Sequence, residues 1–262
     1  MDFSYKILKL LYQTLKEKGY VFYTFAEYLG AKPLKTPSII LRHDIETNYK
    51  NALHFAQMQQ EMGIRGNYYF RILFKEYNAS IIKQITDLGH EIGYHYDDLS
   101  YCKGDMHAAI KRFEKNLKTL RQIAPVKTIC MEGAPTSKWD NRKLWNRYNY
   151  KDFGIIAEPY LDLNFNEIFY LSDTGKTWNG YDYIVRDKIT HKIKEWQEKG
   201  YNYKSTNDIK IALENGSFPK QCMITFHPQR WHSKPLPWLK EYFGQKTKNV
   251  IKKYFYVDKE WK

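Results

Sequence analysis

Apolar residues recur along this chain with two alternating periods. Helical spacing runs through Ile7, Leu8, Leu11 and Leu15 up to Gly19. It returns in Ala52, Phe55, Ala56 and Met62 up to Gly63, and in Ile110, Phe113, Leu117 and Leu120 before Pro125. Shorter helices are predicted at residues 25–29, near 80–88 and at 207–214, and a long one at 238–255. Between them lie short apolar runs that read as strands. One opens at Ser38, and the others cover residues 66–73, 91–95, 128–131, 153–157, 168–171 and 222–226. Strand and helix alternate, as a parallel sheet or barrel requires.

The strands share a second feature: several end abruptly in polar or charged residues. The run from Ser38 delivers Arg42-His43-Asp44-Ile45-Glu46, and strand alternation puts Arg42, Asp44 and Glu46 on one face. Later runs deliver His95 with Asp97 and Asp98, then Asp173, then His227 with Arg230. In a (β/α) barrel these ends gather at the carboxyl rim and define one site. Trp139 and Trp178, each in a polar loop after a strand, are candidate cleft walls. Two carboxylates and a guanidinium at one strand end need a cation, a proton or a ligand to compensate them, unless the strand simply exits into water. His95 by itself also suits a satisfied histidine inside a barrel, and an acidic pair such as Asp97 and Asp98 suits a helix cap. Asp140 and Arg142 fit either an ion pair fixing the Trp139 loop or a substrate contact.

Composition narrows the function classes. At 262 residues one domain with a large core is expected. The 23 Tyr, 14 Phe and 7 Trp suggest aromatic surfaces lining a cleft, on which sugars stack. A net charge of +13 admits a polyanion as partner, but the lysines are scattered and no nucleic-acid motif is present. Three cysteines without C-x-x-C spacing point to reduced thiols and a cytoplasmic protein. No stretch approaches the roughly 20 apolar residues that span a bilayer, and the first residues do not resemble a secretory signal. The basic run 246–253 reads as the outer face of a helix, with a membrane-surface or polyanion role as the alternative.

From about Ile39 to His232 the chain resembles the polysaccharide deacetylases, the NodB-homology or carbohydrate esterase family four proteins. It is most similar to a branch with an Arg-His-Asp-x-Asp strand found in bacterial surface-polysaccharide gene clusters. The resemblance rests on Arg-His-Asp-Ile-Glu46, His-Glu-Ile-Gly-Tyr-His95, Ser-Lys-Trp-Asp-Asn-Arg142, Ser-Asp-Thr-Gly-Lys-Thr-Trp178 and His-Pro-Gln-Arg-Trp231, in this order. It implies a distorted, TIM-like (β/α)7 barrel over residues 38–262, with residues 1–37 as a helical extension packed on it. It implies an N-acetylated sugar or glycan precursor as substrate and a divalent metal, zinc first, held by a carboxylate and two histidines. Asp44 matches the family's base, Glu46 and His95 two metal ligands, and His227 the acid. Arg42, Trp139, Arg142, Asp173, Trp178 and Arg230 are the expected substrate contacts.

Three departures stand out. Leu99 occupies the second metal histidine's place, which leaves Asp98 or Asp97 to complete the site and shifts preference toward manganese or magnesium. Glu46 stands where Asp is usual. Gly133-Ala134-Pro135 lacks the family's arginine, leaving Arg142 or Arg230 to supply its charge. The expected activity is hydrolysis of an acetyl group from an amino sugar of a bacterial surface glycan. The alternative is a barrel without turnover that binds a glycan or a biosynthetic partner.

Overall fold

The computed structural model describes every residue except 32, 74–76, 179 and 258–262. Its elements follow the alternation of periods. They are α1 (Tyr5–Glu17), β1 (Val21–Tyr23), α2 (Phe25–Gly30), β2 (Ser38–Ile45), α3 (Tyr49–Glu61), β3 (Asn67–Phe70), α4 (Ala79–Asp87) and β4 (Glu91–Tyr96). There follow α5 (Asp98–Tyr101), α6 (Met106–Arg121), β5 (Val126–Met131), α7 (Pro159–Asp162), β6 (Phe169–Ser172), α8 (Ile193–Glu198), α9 (Thr206–Glu214), β7 (Gln221–Phe226) and α10 (Pro235–Phe255). Helix starts are set by local chemistry. Thr24 and Glu27 form a reciprocal capping box on α2, Ser205 and Asp208 another on α9, and the Asp105 carboxylate accepts from two amides opening α6.

The strands form one parallel seven-stranded sheet in the order β5-β4-β3-β2-β7-β6, with β1 beside β2. β2 is the axis, buried at all eight positions. One of its edges pairs with β7 from Ser38 to His43. The other pairs first with β1, through Ile40, and then with β3 from Arg42. At that handover the Asn67 amide accepts from the Phe25 N–H at 2.7 Å and donates to the Leu41 carbonyl at 2.8 Å, so backbone groups between the two short strands stay bonded. The first 37 residues thus contribute a strand as well as helices.

The parallel sheet flanked by helices is the expected architecture, and it differs in how the ring is completed. The expected strand at 153–157 is a 3₁₀ turn, Tyr150–Phe153, ended by Gly154 at φ 68°, with a single bridge from Ala157 to Thr128. Among the described residues no ladder joins β5 to β6. Tyr160, Tyr170 and the Arg42 side chain hydrogen-bond one another. Aromatic residues go mainly to the core: Phe3, Phe55, Trp178, Phe226 and Trp231 interlock by edge and stacked contacts under the rim of β7. The three cysteines are free.

Candidate active site

The carboxyl ends of β2, β4, β5, β6 and β7 open into a cleft of about 430 Å³. Its lining includes Arg42, Asp44, Glu46, His95, Glu132, Thr174, Asp187, His227 and Arg230, closed on one side by Gln245, Lys248, Ile251 and Lys252 of α10. Strand alternation places these groups. In β2, Arg42 and Asp44 reach the cleft, while His43 points behind the sheet, its Nδ1 2.9 Å from the Asn67 carbonyl. Burial drives His43 down to about 3, so it is neutral there.

His227 is held from behind. The Asp173 carboxylate, wholly buried, lies 2.6 Å from His227 Nδ1, accepts the His227 backbone N–H on both oxygens, and accepts Trp231 Nε1–H at 2.6 Å. Burial alone would raise this carboxyl, but His227 and Arg230 outweigh it and hold Asp173 below its ordinary value. The pairing puts the proton on Nδ1 and turns Nε2 to the cleft, 3.8 Å from Glu46 Oε1 and 4.0 Å from Asp44 Oδ2. Asp173 therefore orients the imidazole from behind and does not line the cleft, where a substrate contact was expected.

Asp44 is gripped by its own strand. Arg42 donates Nε–H to Oδ1 at 2.9 Å and Nη2–H to Oδ2 at 2.6 Å, a bidentate pair, while Nη1–H reaches Tyr160 Oη at 2.8 Å. Beside it, His95 donates Nδ1–H to the Cys130 carbonyl at 3.0 Å. Its Nε2 lies 3.0 Å from Glu132 Oε2 and 3.8 Å from Asp44 Oδ2. Burial alone would lower His95, but Asp44 and Glu132 push it up to about 9. Glu132 is held well below its ordinary value by His95 and Arg71, against the effect of burial.

Two of these groups were not read from the sequence. Glu132 directly follows the apolar run of β5, the same signal that marks Glu46 and His227. Asp187 carries no such signal. It comes from the segment between β6 and α8, accepts from Thr174 Oγ1 at 2.6 Å and from both Tyr160 and Tyr170, and lies 3.6 Å from Arg42. Burial opposes its ionisation, and the Arg42 guanidinium brings it down to about 2.

Several expected site residues lie elsewhere. Asp98 is wholly buried behind β4, where Arg112 Nη1 bonds it at 2.6 Å and Tyr94 Oη at 2.8 Å. Arg112 also holds Asp97 at 2.5 Å, and Arg71 joins from the other side. Burial pushes Asp98 up to about 7 despite Arg112. Trp139 covers Gly104 rather than the cleft: a Cβ at Gly104, whose φ is +89°, would sit 2.5 Å from the indole. Trp178 is a core residue, its Nε1–H given to Thr206 Oγ1. Arg142 pairs with Asp140 at 2.6 Å and faces a smaller side pocket with Tyr160 and Arg186. Arg230 does line the cleft.

The ligand set expected for a divalent metal does not assemble. Asp98 is committed to Arg112, and Leu99 packs in the core. Among the described residues one three-ligand group comes together, Asp44, His95 and Cys130, with ligand atoms within 4.8 Å of one another. A cation on Asp44 would share an oxygen with a guanidinium 2.6 Å away. The possible metal site is thus this Asp44, His95 and Cys130 group, in place of the expected Glu46, His95 and Asp98.

No protein-family model and no curated protein sequence matches the chain. Similar solved structures include a family 4 carbohydrate esterase from Bacillus anthracis, 10% identical, covering 95% of this chain and 88% of that one at a TM-score of 0.40. A polysaccharide deacetylase from Bacillus cereus is 12% identical, covering 81% and 88% at a TM-score of 0.39. A mutant of a pseudoenzyme of the same esterase family, with restored activity, is 9% identical at a TM-score of 0.40 over 81% of this chain, which spans 62% of that protein's length. The structures to which this chain is similar are thus polysaccharide deacetylases of carbohydrate esterase family 4.

Proposed function

We propose that the cleft hydrolyses the acyl amide of an acylamino sugar, an N-acetylated precursor of a bacterial surface glycan, in the cytoplasm. The observation that carries this reading is the Asp173-held His227, whose Nε2 opens onto the cleft 4.0 Å from Asp44. Asp44 takes a proton from the attacking water, and His227, carrying a second proton on Nε2, gives it to the departing amine. The amine leaves as ammonium with the proton of the released acid, which departs as carboxylate, and a proton passes from Asp44 back to His227 through a water. Positioned acid and base groups of this kind contribute about 10² to 10⁴ in rate. His95, held protonated at neutral pH by its carboxylate neighbours, and Arg230 place positive charge where the acyl oxygen becomes anionic. The sugar as substrate is supported by the resemblance of the strand-end motifs.

The test is acetate release from N-acetylhexosamines and their glycosides by the wild type, Asp44→Asn and His227→Ala. Release that vanishes in both variants supports the reading. A second reading, a glycan-binding barrel without turnover, is favoured by the Arg42 guanidinium occupying both Asp44 oxygens. Calorimetric binding of a glycan without acetate release from any acylated sugar would establish it.

A further inference from the structure

Helix α10 is amphipathic in the wrong sense for a helix that merely covers a barrel. Its buried residues are polar: Gln245 and Asn249 bond each other at 2.8 Å, and Asn249 donates to the Gly175 carbonyl at 2.8 Å. Its large apolar residues face out, with Leu236 78% exposed, Phe243 63% and Tyr254 73%. At about 100° per residue, Leu236, Leu239, Phe243, Val250 and Tyr254 fall within roughly 60° of one another, a single stripe along a helix about 30 Å long. Stripes of this size on a soluble surface mark a docking site.

We propose that this stripe seats the protein on an anionic phospholipid bilayer, with the cleft opening at the membrane surface. Charge selects the occupant. Lys240 stands at one border of the stripe and Lys246 and Lys253 at the other, Lys253 with the exposed Asp182 3.8 Å away, and long side chains there reach past the apolar face to lipid phosphates. Glu241, the one acidic residue in α10, lies on the opposite side. A second copy of the helix suits the face poorly. The apolar spacing of three and four residues would put Lys246 and Lys253 at the buried seam of a helix pair, stacking like charges out of water. Cleft-lining Lys248 and Lys252 belong to the same helix, so docking presents the active-site mouth to whatever the bilayer carries. No helix of the described residues is long and apolar enough to cross a membrane, so this is attachment in the interface.

The test is co-sedimentation of the full chain with vesicles of phosphatidylglycerol mixed with phosphatidylcholine, beside vesicles of phosphatidylcholine alone. Binding is expected to the mixed vesicles only and to weaken with salt. Each lysine near the surface is worth roughly a fivefold partition, so Lys240→Gln with Lys246→Gln and Lys253→Gln should weaken binding roughly a hundredfold. Phe243→Glu with Val250→Glu should abolish it while leaving the melting temperature and the release of acetate from soluble sugars unchanged, since both side chains are exposed and outside the cleft. Three results would overturn the proposal. They are no binding to either vesicle, binding lost with the lysines yet indifferent to the glutamates, which indicates a soluble polyanion, and a wild-type dimer in sedimentation that the glutamates dissociate.

Discussion

Replacing Asp173 by Asn tests the arrangement behind His227 directly. The carboxylate accepts from His227 Nδ1–H, the His227 backbone and Trp231 Nε1–H, with Arg230 3.7 Å away, and it is wholly buried. The amide keeps one acceptor oxygen and turns an NH₂ toward one of these donors. The loss is one charge-assisted bond, about 1.5 to 3 kcal/mol, plus the cost of a buried donor left unbonded, about 1 to 3 kcal/mol. A destabilisation of about 2.5 to 6 kcal/mol is expected, against the 5 to 15 kcal/mol stability of an ordinary domain, so unfolding is measured in the cold. Urea unfolding followed by tryptophan fluorescence reads it, Trp178 and Trp231 being close to the change. The pH dependence has a definite sign. Asp173 sits below its ordinary 3.8 in the folded state, so its contribution is present above that value and lost as pH falls through the lower folded value. The Asn variant should lack this acid-side loss, and acetate release should fall about 10² to 10⁴ because the imidazole tautomer is no longer set. A variant within 1 kcal/mol of wild type at pH 7, with unchanged release, would refute the argument.

His227→Ala should cost about 1.5 to 3 kcal/mol in urea unfolding, because it takes a charge-assisted bond from the buried Asp173 carboxylate, and should remove acetate release; release at the wild-type rate would eliminate His227 as the acid. Dialysis against a strong chelator should change neither activity nor melting temperature, because both Asp44 oxygens are already taken by Arg42; a loss restored by zinc or manganese would show that the guanidinium yields to a metal. Arg112→Leu strands the buried Asp98 carboxylate and leaves Asp97 with Arg71 alone, and should cost about 3 to 5 kcal/mol in urea unfolding. A loss below 1 kcal/mol would mean these acids find other partners.

Periodicity alone located nearly every helix and strand, because a helix that covers a sheet must bury one stripe and a strand in a parallel sheet must be apolar almost throughout. It missed β1, three residues that pair with the free edge of β2, and the short helices α5, α7 and α8, and it read a strand at 153–157 that is not formed. Strand alternation also placed Arg42, Asp44, His95 and His227 at one rim, since the side-chain direction at a strand end follows from counting. What counting could not reveal was which group each charge would meet. Asp98 lies past the end of β4, at the start of α5 where strand alternation no longer applies, and faces Arg112 of α6 rather than the cleft. Trp178 and Trp231 close the core at Phe3, more than 170 residues away along the chain. Arg42 is steered onto Asp44 by Tyr160, Tyr170 and Asp187, brought from later segments of the chain. Local periods depend on neighbours a few residues apart, whereas the electrostatic partner of a buried charge is whatever the packed chain brings within about 4 Å, and only the tertiary structure decides that.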